Sequence, residues 1–142
     1  MSAQSNSDFR DRRRFKRIAD SFFVTYKVKS PSTVRIRLGD KECDALAQDI
    51  GEAGVGLLTN YEIPSDALLN LKFTIFNDAY TTEKDRSRKF ELEGEVRYKV
   101  YTDDKSYRLG ICFVTISAMD RDFIANYVRV QELKPGSDKA DG

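Results

Sequence analysis

The sequence predicts an all-β protein: a small antiparallel barrel of six or seven strands closed by one C-terminal helix, with a basic arm at its N-terminus. Three observations carry this. Apolar and polar residues alternate over most of the 142 positions, the period of two that marks strands with one buried face. Clusters of Gly, Pro, Asp and Ser interrupt the alternation at short intervals, as in barrels and other compact β folds. The period changes once, near residue 118, to helical spacing.

The elements follow in order. Phe22, Val24, Tyr26 and Val28 alternate with Phe23, Thr25 and Lys27, which predicts a first strand. After Pro31, Val34, Ile36 and Leu38 alternate with Thr33, Arg35 and Arg37 and read as a second, ended by the turn Gly39-Asp40. Cys43 to Ile50 reads as a weaker strand, Val55 to Thr59 as a short apolar one, and Pro64-Ser65-Asp66 breaks the chain again. Leu69, Leu71, Phe73 and Ile75 alternate with polar residues. Asn77 to Arg88 has no period and reads as a loop at a hairpin end. The clearest alternation is Phe90, Leu92, Gly94, Val96, Tyr98 and Val100 against Glu91, Glu93, Glu95, Arg97 and Lys99. A turn at Thr102 to Lys105 leads to a partner strand with Tyr107, Leu109, Ile111 and Phe113. Met119, Phe123, Tyr127 and Val130 then fall at helical spacing, beside Ile124 and Leu133. Ser117 followed by Asp120 resembles a capping box, and Lys134-Pro135-Gly136 is a stop signal. The expected organisation is a disordered N-terminus at 1–9, an arm at 10–20, a barrel at 21–116, a helix at 117–133 and a disordered tail at 134–142.

Composition narrows the function. Hydrophobic residues are 40% and charged residues 33% of the chain, the balance of a soluble globular domain. No apolar run approaches the roughly 20 residues that span a bilayer, and Met1 to Ser7 lacks the apolar core of a secretory signal; a cytoplasmic protein without membrane insertion is expected. Net charge is +1, yet residues 8–17 hold five Arg, one Lys and two Asp, which is +4, so the remainder carries −3. A concentrated basic arm on an otherwise acidic domain points to one local anionic partner and away from a broad nucleic-acid surface. The absence of histidine removes the commonest general base and the Ser-His and Cys-His nucleophile pairs. Cys43 and Cys112 have no companions at metal-ligand spacing and read as half-buried strand residues. No catalytic residue and no metal site are expected.

Two segments can carry binding chemistry. Arg13 and Arg17, in Arg-Arg-Phe-Lys-Arg, stand i, i+4; their Cβ atoms would be roughly 6 Å apart in a helical turn and about 13 Å apart in an extended chain. In either case two planar guanidiniums can close on one bulky anion, forking onto phosphate oxygens or the O6/N7 edge of guanine, or stacking on a purine. A solvated basic tail would have the same composition. The second segment is Asp49-Ile50-Gly51-Glu52-Ala53-Gly54-Val55-Gly56, whose glycines permit positive φ and close backbone approach to a ligand. Asp49 can accept from the N1–H and N2–H₂ donors of a guanine, or can serve an ordinary turn. The acidic row Glu91, Glu93 and Glu95 reads as a solubilising face rather than a carboxylate site.

Together these segments resemble the signature of the PilZ family: Arg-x-x-x-Arg before a first strand, then Asp/Asn-x-Ser-x-x-Gly about thirty residues later. The matching residues are Arg13 to Arg17 and Asp49 to Gly54. Gly94-Glu95-Val96-Arg97-Tyr98 is similar to the family's Gly-x-Val-x-aromatic strand, and Tyr107 to Phe113 to the strand after it. The resemblance implies a six-stranded antiparallel β-barrel of the split-barrel type over residues 10–133 and cyclic di-GMP as ligand, with no other cofactor. It implies that Arg13 and Arg17 meet the phosphates and guanine, that Asp49 and Gly54 lie in the loop holding the other side of the base, and that Arg12, just before the first motif, favours an intercalated pair of ligands. Gly51 stands where the family has serine, which removes one hydroxyl from the site. The expected function is a sensor or adaptor whose arm orders on nucleotide binding and signals to an effector protein, as a monomer or weak dimer. The alternative is a PilZ-like interaction adaptor that binds no nucleotide.

Overall fold

The structure is a computed structural model describing residues 17–77, 87–102 and 105–133, with backbone alone at 17–20. Its elements are β1 (Arg17–Ser30), α1 (Ser32–Arg37), β2 (Cys43–Gly51), β3 (Gly54–Thr59), β4 (Leu68–Phe76), β5 (Ser87–Tyr101), β6 (Tyr107–Thr115) and α2 (Ala118–Leu133). The six strands close into a barrel in the order β1-β2-β3-β6-β5-β4, every neighbouring pair antiparallel. The β1–β4 ladder closes the barrel along Val24 to Ser30 of β1.

The alternation in the sequence becomes the inside and outside of this barrel. Val24, Tyr26 and Val28 of β1, Leu69, Leu71 and Ile75 of β4, Leu92 and Val96 of β5, and Leu109 and Ile111 of β6 are buried in one core. A polar contact lies within it: the Tyr26 hydroxyl is 2.7 Å from Thr59 Oγ1 of β3, and burial pushes the Tyr26 pKa well above its ordinary value. Helix α2 covers the barrel with Ile124, Tyr127 and Val128, and Phe123 packs edge-on against Phe90. Ser117 Oγ accepts from the Asp120 N–H at 3.1 Å, so the cap lies where the sequence puts it. Arg88 Nε donates to Asp120 Oδ1 at 2.7 Å and ties the start of α2 to β5.

Several local expectations are corrected. Residues 33–38 are not a strand: Ser32–Arg37 is a short helix. Positions 34 and 38 satisfy both a period of two and i, i+4, so six residues cannot distinguish them; the packing decides, with Val34 buried, Leu38 against the core and Ile36 exposed on the opposite side. Gly39 and Asp40 then turn the chain with φ of 77° and 52°. Arg17 to Asp20 belong to β1 rather than to an arm outside the regular structure. Ser87 and Arg88 belong to β5 rather than to a loop. On α2, Met119 and Leu133 are exposed and the buried stripe centres on Ile124, Tyr127 and Val128.

The outward row Glu91, Glu93 and Glu95 is a surface of ion pairs, to Lys72 at 3.7 Å, Lys29 at 2.9 Å and Arg97 at 2.9 Å respectively. Cys43 is buried and Cys112 half-buried; both are free thiols. Among the described residues no group of three or more acidic, Cys or His side chains could hold a metal, and no helix is long and apolar enough to cross a membrane.

Candidate functional site

The site is built on the outer wall of β2, β3, β6 and β5, and two β-bulges create it. In the β2–β3 ladder Ala47 pairs with Leu57 and Asp49 with Gly56, so β2 advances two residues while β3 advances one. Gln48 is the extra residue. Ala47 and Ile50 both point into the core with no exposure, so the bulge leaves two consecutive side chains, Gln48 and Asp49, facing outward together. In the β5–β6 ladder Val96 pairs with Ile111 and Tyr98 with Gly110. Here Arg97 is extra, and the phase of β5 inverts beyond it. Tyr98 and Val100, which the alternation would place beside Leu92 and Val96 inside, face outward; Val100 is 51% exposed.

Register then aligns one row around the outside. Asp49 pairs with Gly56, Gly56 with Gly110, and Gly110 with Tyr98. The four backbones span about 14 Å at the ordinary strand spacing. The floor is two glycines, and the walls lean onto it: a Cβ on Gly56 would sit 3.0 Å from each Asp49 carboxylate oxygen, and one on Gly110 would sit 2.0 Å from Tyr98 Cε2. A carboxylate and a half-buried aromatic ring thus lie over adjacent strands. A flat base stacked on the ring can present its N–H edge to the acceptor.

Arg108 completes the arrangement from β6. Its Nη2 donates to Asp49 Oδ2 at 2.8 Å and its Nη1 to Gln48 Oε1 at 2.9 Å. Neighbouring Arg97 donates to Glu95 at 2.9 Å, which raises its pKa.

The next row contains the remaining motif positions. Arg17 pairs with Gly51, Gly51 with Gly54, and Gly54 with Cys112. The last arginine of the first motif therefore begins the strand that flanks the second motif. Arg12 and Arg13 lie outside the described residues, as does the Arg17 side chain. Gly51, Gly54 and Gly56 do not have positive φ; among the described glycines only Gly39 does. The constraint at Gly54 and Gly56 is space: a Cβ on Gly54 would stand 2.0 Å from the Ile111 carbonyl oxygen. Tyr98, Gly110, Arg108 and Gln48 were not singled out from the sequence as site residues. Tyr98, Arg108 and Gly110 are visible there as members of family-like strands; Gln48 has no local signal, because a bulge and a cross-strand contact bring it to Arg108.

The glycine-floored outer wall thus belongs to a six-stranded closed barrel with a C-terminal helix. The PilZ domain family model matches residues 11–129, and the chain belongs to that family. No curated protein matches it in sequence. Among solved structures it is similar to the inhibitor of motility MotI/DgrA of Bacillus subtilis, with a TM-score of 0.66 and 18% identity over 86% of this chain and 52% of that one. It is also similar to YcgR from Escherichia coli in complex with c-di-GMP, with a TM-score of 0.61 and 16% identity over 92% of this chain and 50% of that one. The separate PilZ domain of YcgR with c-di-GMP gives a TM-score of 0.53 at 16% identity, over 92% of this chain and 98% of that one. The chain thus spans about half the length of MotI/DgrA and of full YcgR. At these identities the likeness is one of fold.

Proposed function

We propose that the protein is a cyclic di-GMP sensor that signals to a partner protein. The observation that carries this reading is the pairing of Arg17 with Gly51 and of Gly51 with Gly54, one row from Asp49, Gly56, Gly110 and Tyr98. Two motifs far apart in sequence thereby adjoin one surface, with an acceptor and an aromatic ring beside the end of an arginine-rich segment. Each partner suits a different part of a guanine nucleotide: guanidiniums the phosphates, Asp49 the N1–H and N2–H₂ donors, and Tyr98 the base face. Arg12 and Arg13 supply further cationic groups, and two nucleotides with four phosphate charges would use them. Family membership supports the reading, as do the c-di-GMP complexes of the similar YcgR structures. In this reading nucleotide binding fixes the arm against the barrel, part of the contact energy being spent on ordering it, and the new surface recruits the effector.

Calorimetric titration with cyclic di-GMP, with GTP as control, tests the proposal. Binding at micromolar affinity or tighter, selective over GTP and weakened at least tenfold by Arg13→Ala, is the expected result. Absence of binding by both the parent and Gly51→Ser would refute it. The nucleotide-independent adaptor, which Gly51 in the serine position favours, would then be the better account.

A further inference from the structure

Asp49 is built into a cross-strand network. Its carboxylate lies over Gly56, and the Arg108 guanidinium reaches it from two strands away. Gly56, on the intervening strand, has no side chain to occupy the space where the Asp49 carboxylate lies. The fork is used in full, one arm on Asp49 Oδ2 at 2.8 Å and the other on Gln48 Oε1 at 2.9 Å. Those two acceptors are consecutive in sequence and face the same way only because of the bulge at Gln48. The pair is partly shielded, with the Asp49 side chain 20% and Arg108 38% exposed.

From this geometry we infer that Arg108 is a positioning residue for nucleotide recognition: braced by Gln48, it holds one oxygen of Asp49 so that the carboxylate is set to receive a guanine edge. The inference rests on the cyclic di-GMP reading above. Arg108 acts through Asp49 and does not itself contact the ligand. A bidentate guanidinium defines the orientation of what it holds, whereas an ammonium acts as a point charge. Lysine at 108 therefore keeps the charge but cannot hold Gln48 and Asp49 in the same plane.

The experiment is a double-mutant cycle on the full chain, titrated with cyclic di-GMP by calorimetry. Arg108→Ala and Arg108→Lys are each measured alone and with Asp49→Ala, and thermal unfolding verifies that every variant is folded. Where the alanine variant is unfolded, Arg108→Gln replaces it. The expected loss for Arg108→Ala is about tenfold with Asp49 present, the scale of one charge-assisted hydrogen bond, and under about twofold without it, because the two changes then interrupt one path. Arg108→Lys should restore only part of the loss. Equal losses in both backgrounds would overturn the inference, since Arg108 would then act on the ligand or on the fold directly. Full restoration by lysine would overturn it as well, since the fork would be unnecessary. Failure of both the parent and Gly51→Ser to bind would overturn the cyclic di-GMP reading and this inference together, whereas binding with additive losses would overturn the inference alone.

Discussion

Removing the Tyr98 ring, or displacing it, should weaken binding in a protein that remains folded. The ring rests against Gly110: a Cβ there would lie 2.0, 2.3 and 2.6 Å from Tyr98 Cε2, Cζ and Cδ2. Ordinary contact begins near 3.4 Å, so Gly110→Ala must push the nearest ring atom away by about 1.4 Å, 3.4 less 2.0. Because Tyr98 is half-buried on the outer wall, the ring can swing toward solvent, and the stability cost should stay within the ~1–3 kcal/mol usual for overpacking. Base–aromatic stacking is worth about 1–3 kcal/mol per base, so loss of the platform predicts a decrease in cyclic di-GMP affinity of roughly 5- to 150-fold. Tyr98→Ala should lose this amount, Tyr98→Phe should retain nearly all affinity, and Gly110→Ala should resemble Tyr98→Ala. Calorimetric titration reads the affinity and thermal unfolding reads the stability. Parent-like affinity in Tyr98→Ala would refute the stacking role.

Three further outcomes follow from the geometry. Gly54→Ala places a methyl against the Ile111 carbonyl, a backbone atom that cannot rotate aside. It should lower stability by about 3 kcal/mol, the upper end of overpacking. Gly56→Ala has only to move the Asp49 carboxylate by a few tenths of an ångström and should cost about 1 kcal/mol; chemical denaturation compares the two. Gly51→Ser restores the hydroxyl of the family motif at a position without positive φ and should tighten cyclic di-GMP binding by up to tenfold, measured by titration beside the parent. Stability should also fall at alkaline pH. Burial raises the pKa of Cys43 from 9.0 and of Tyr26 from 10.0, so the folded state retains protons that the unfolded state releases. The stabilisation is complete below pH 9 and declines above pH 9–10 as the unfolded chain ionises. Denaturation midpoints across pH 8 to 11 measure it, and Tyr26→Phe, although less stable at pH 8 through loss of the bond to Thr59, should show a shallower decline.

What the sequence by itself determined was whatever depends on neighbours along the chain. Alternation around Val24, Leu71 and Leu109 specifies strands and their buried faces, because a side-chain period of two is a property of one strand. Ser117 and the apolar spacing after it specify α2, since a cap and its helix are local. The spacing of Arg13, Arg17, Asp49 and Gly54 was enough to suggest a family, which the match over residues 11–129 bears out. The tertiary structure decided everything that depends on which strand lies beside which. Bulges at Gln48 and Arg97 are invisible in the sequence, because an extra residue exists only relative to a partner strand; yet they turn Asp49 and Tyr98 toward the same outer wall. Val34, Ile36 and Leu38 suit a strand or a helical turn until the core selects one. Gly54 and Gly56 have neighbours rather than dihedral angles to satisfy: Ile111 across the ladder at Gly54, and Asp49 over Gly56. Arg108 is one outward-facing residue among many in the sequence, and becomes part of a site only where closure of the barrel brings β6 beside β3 and within reach of β2.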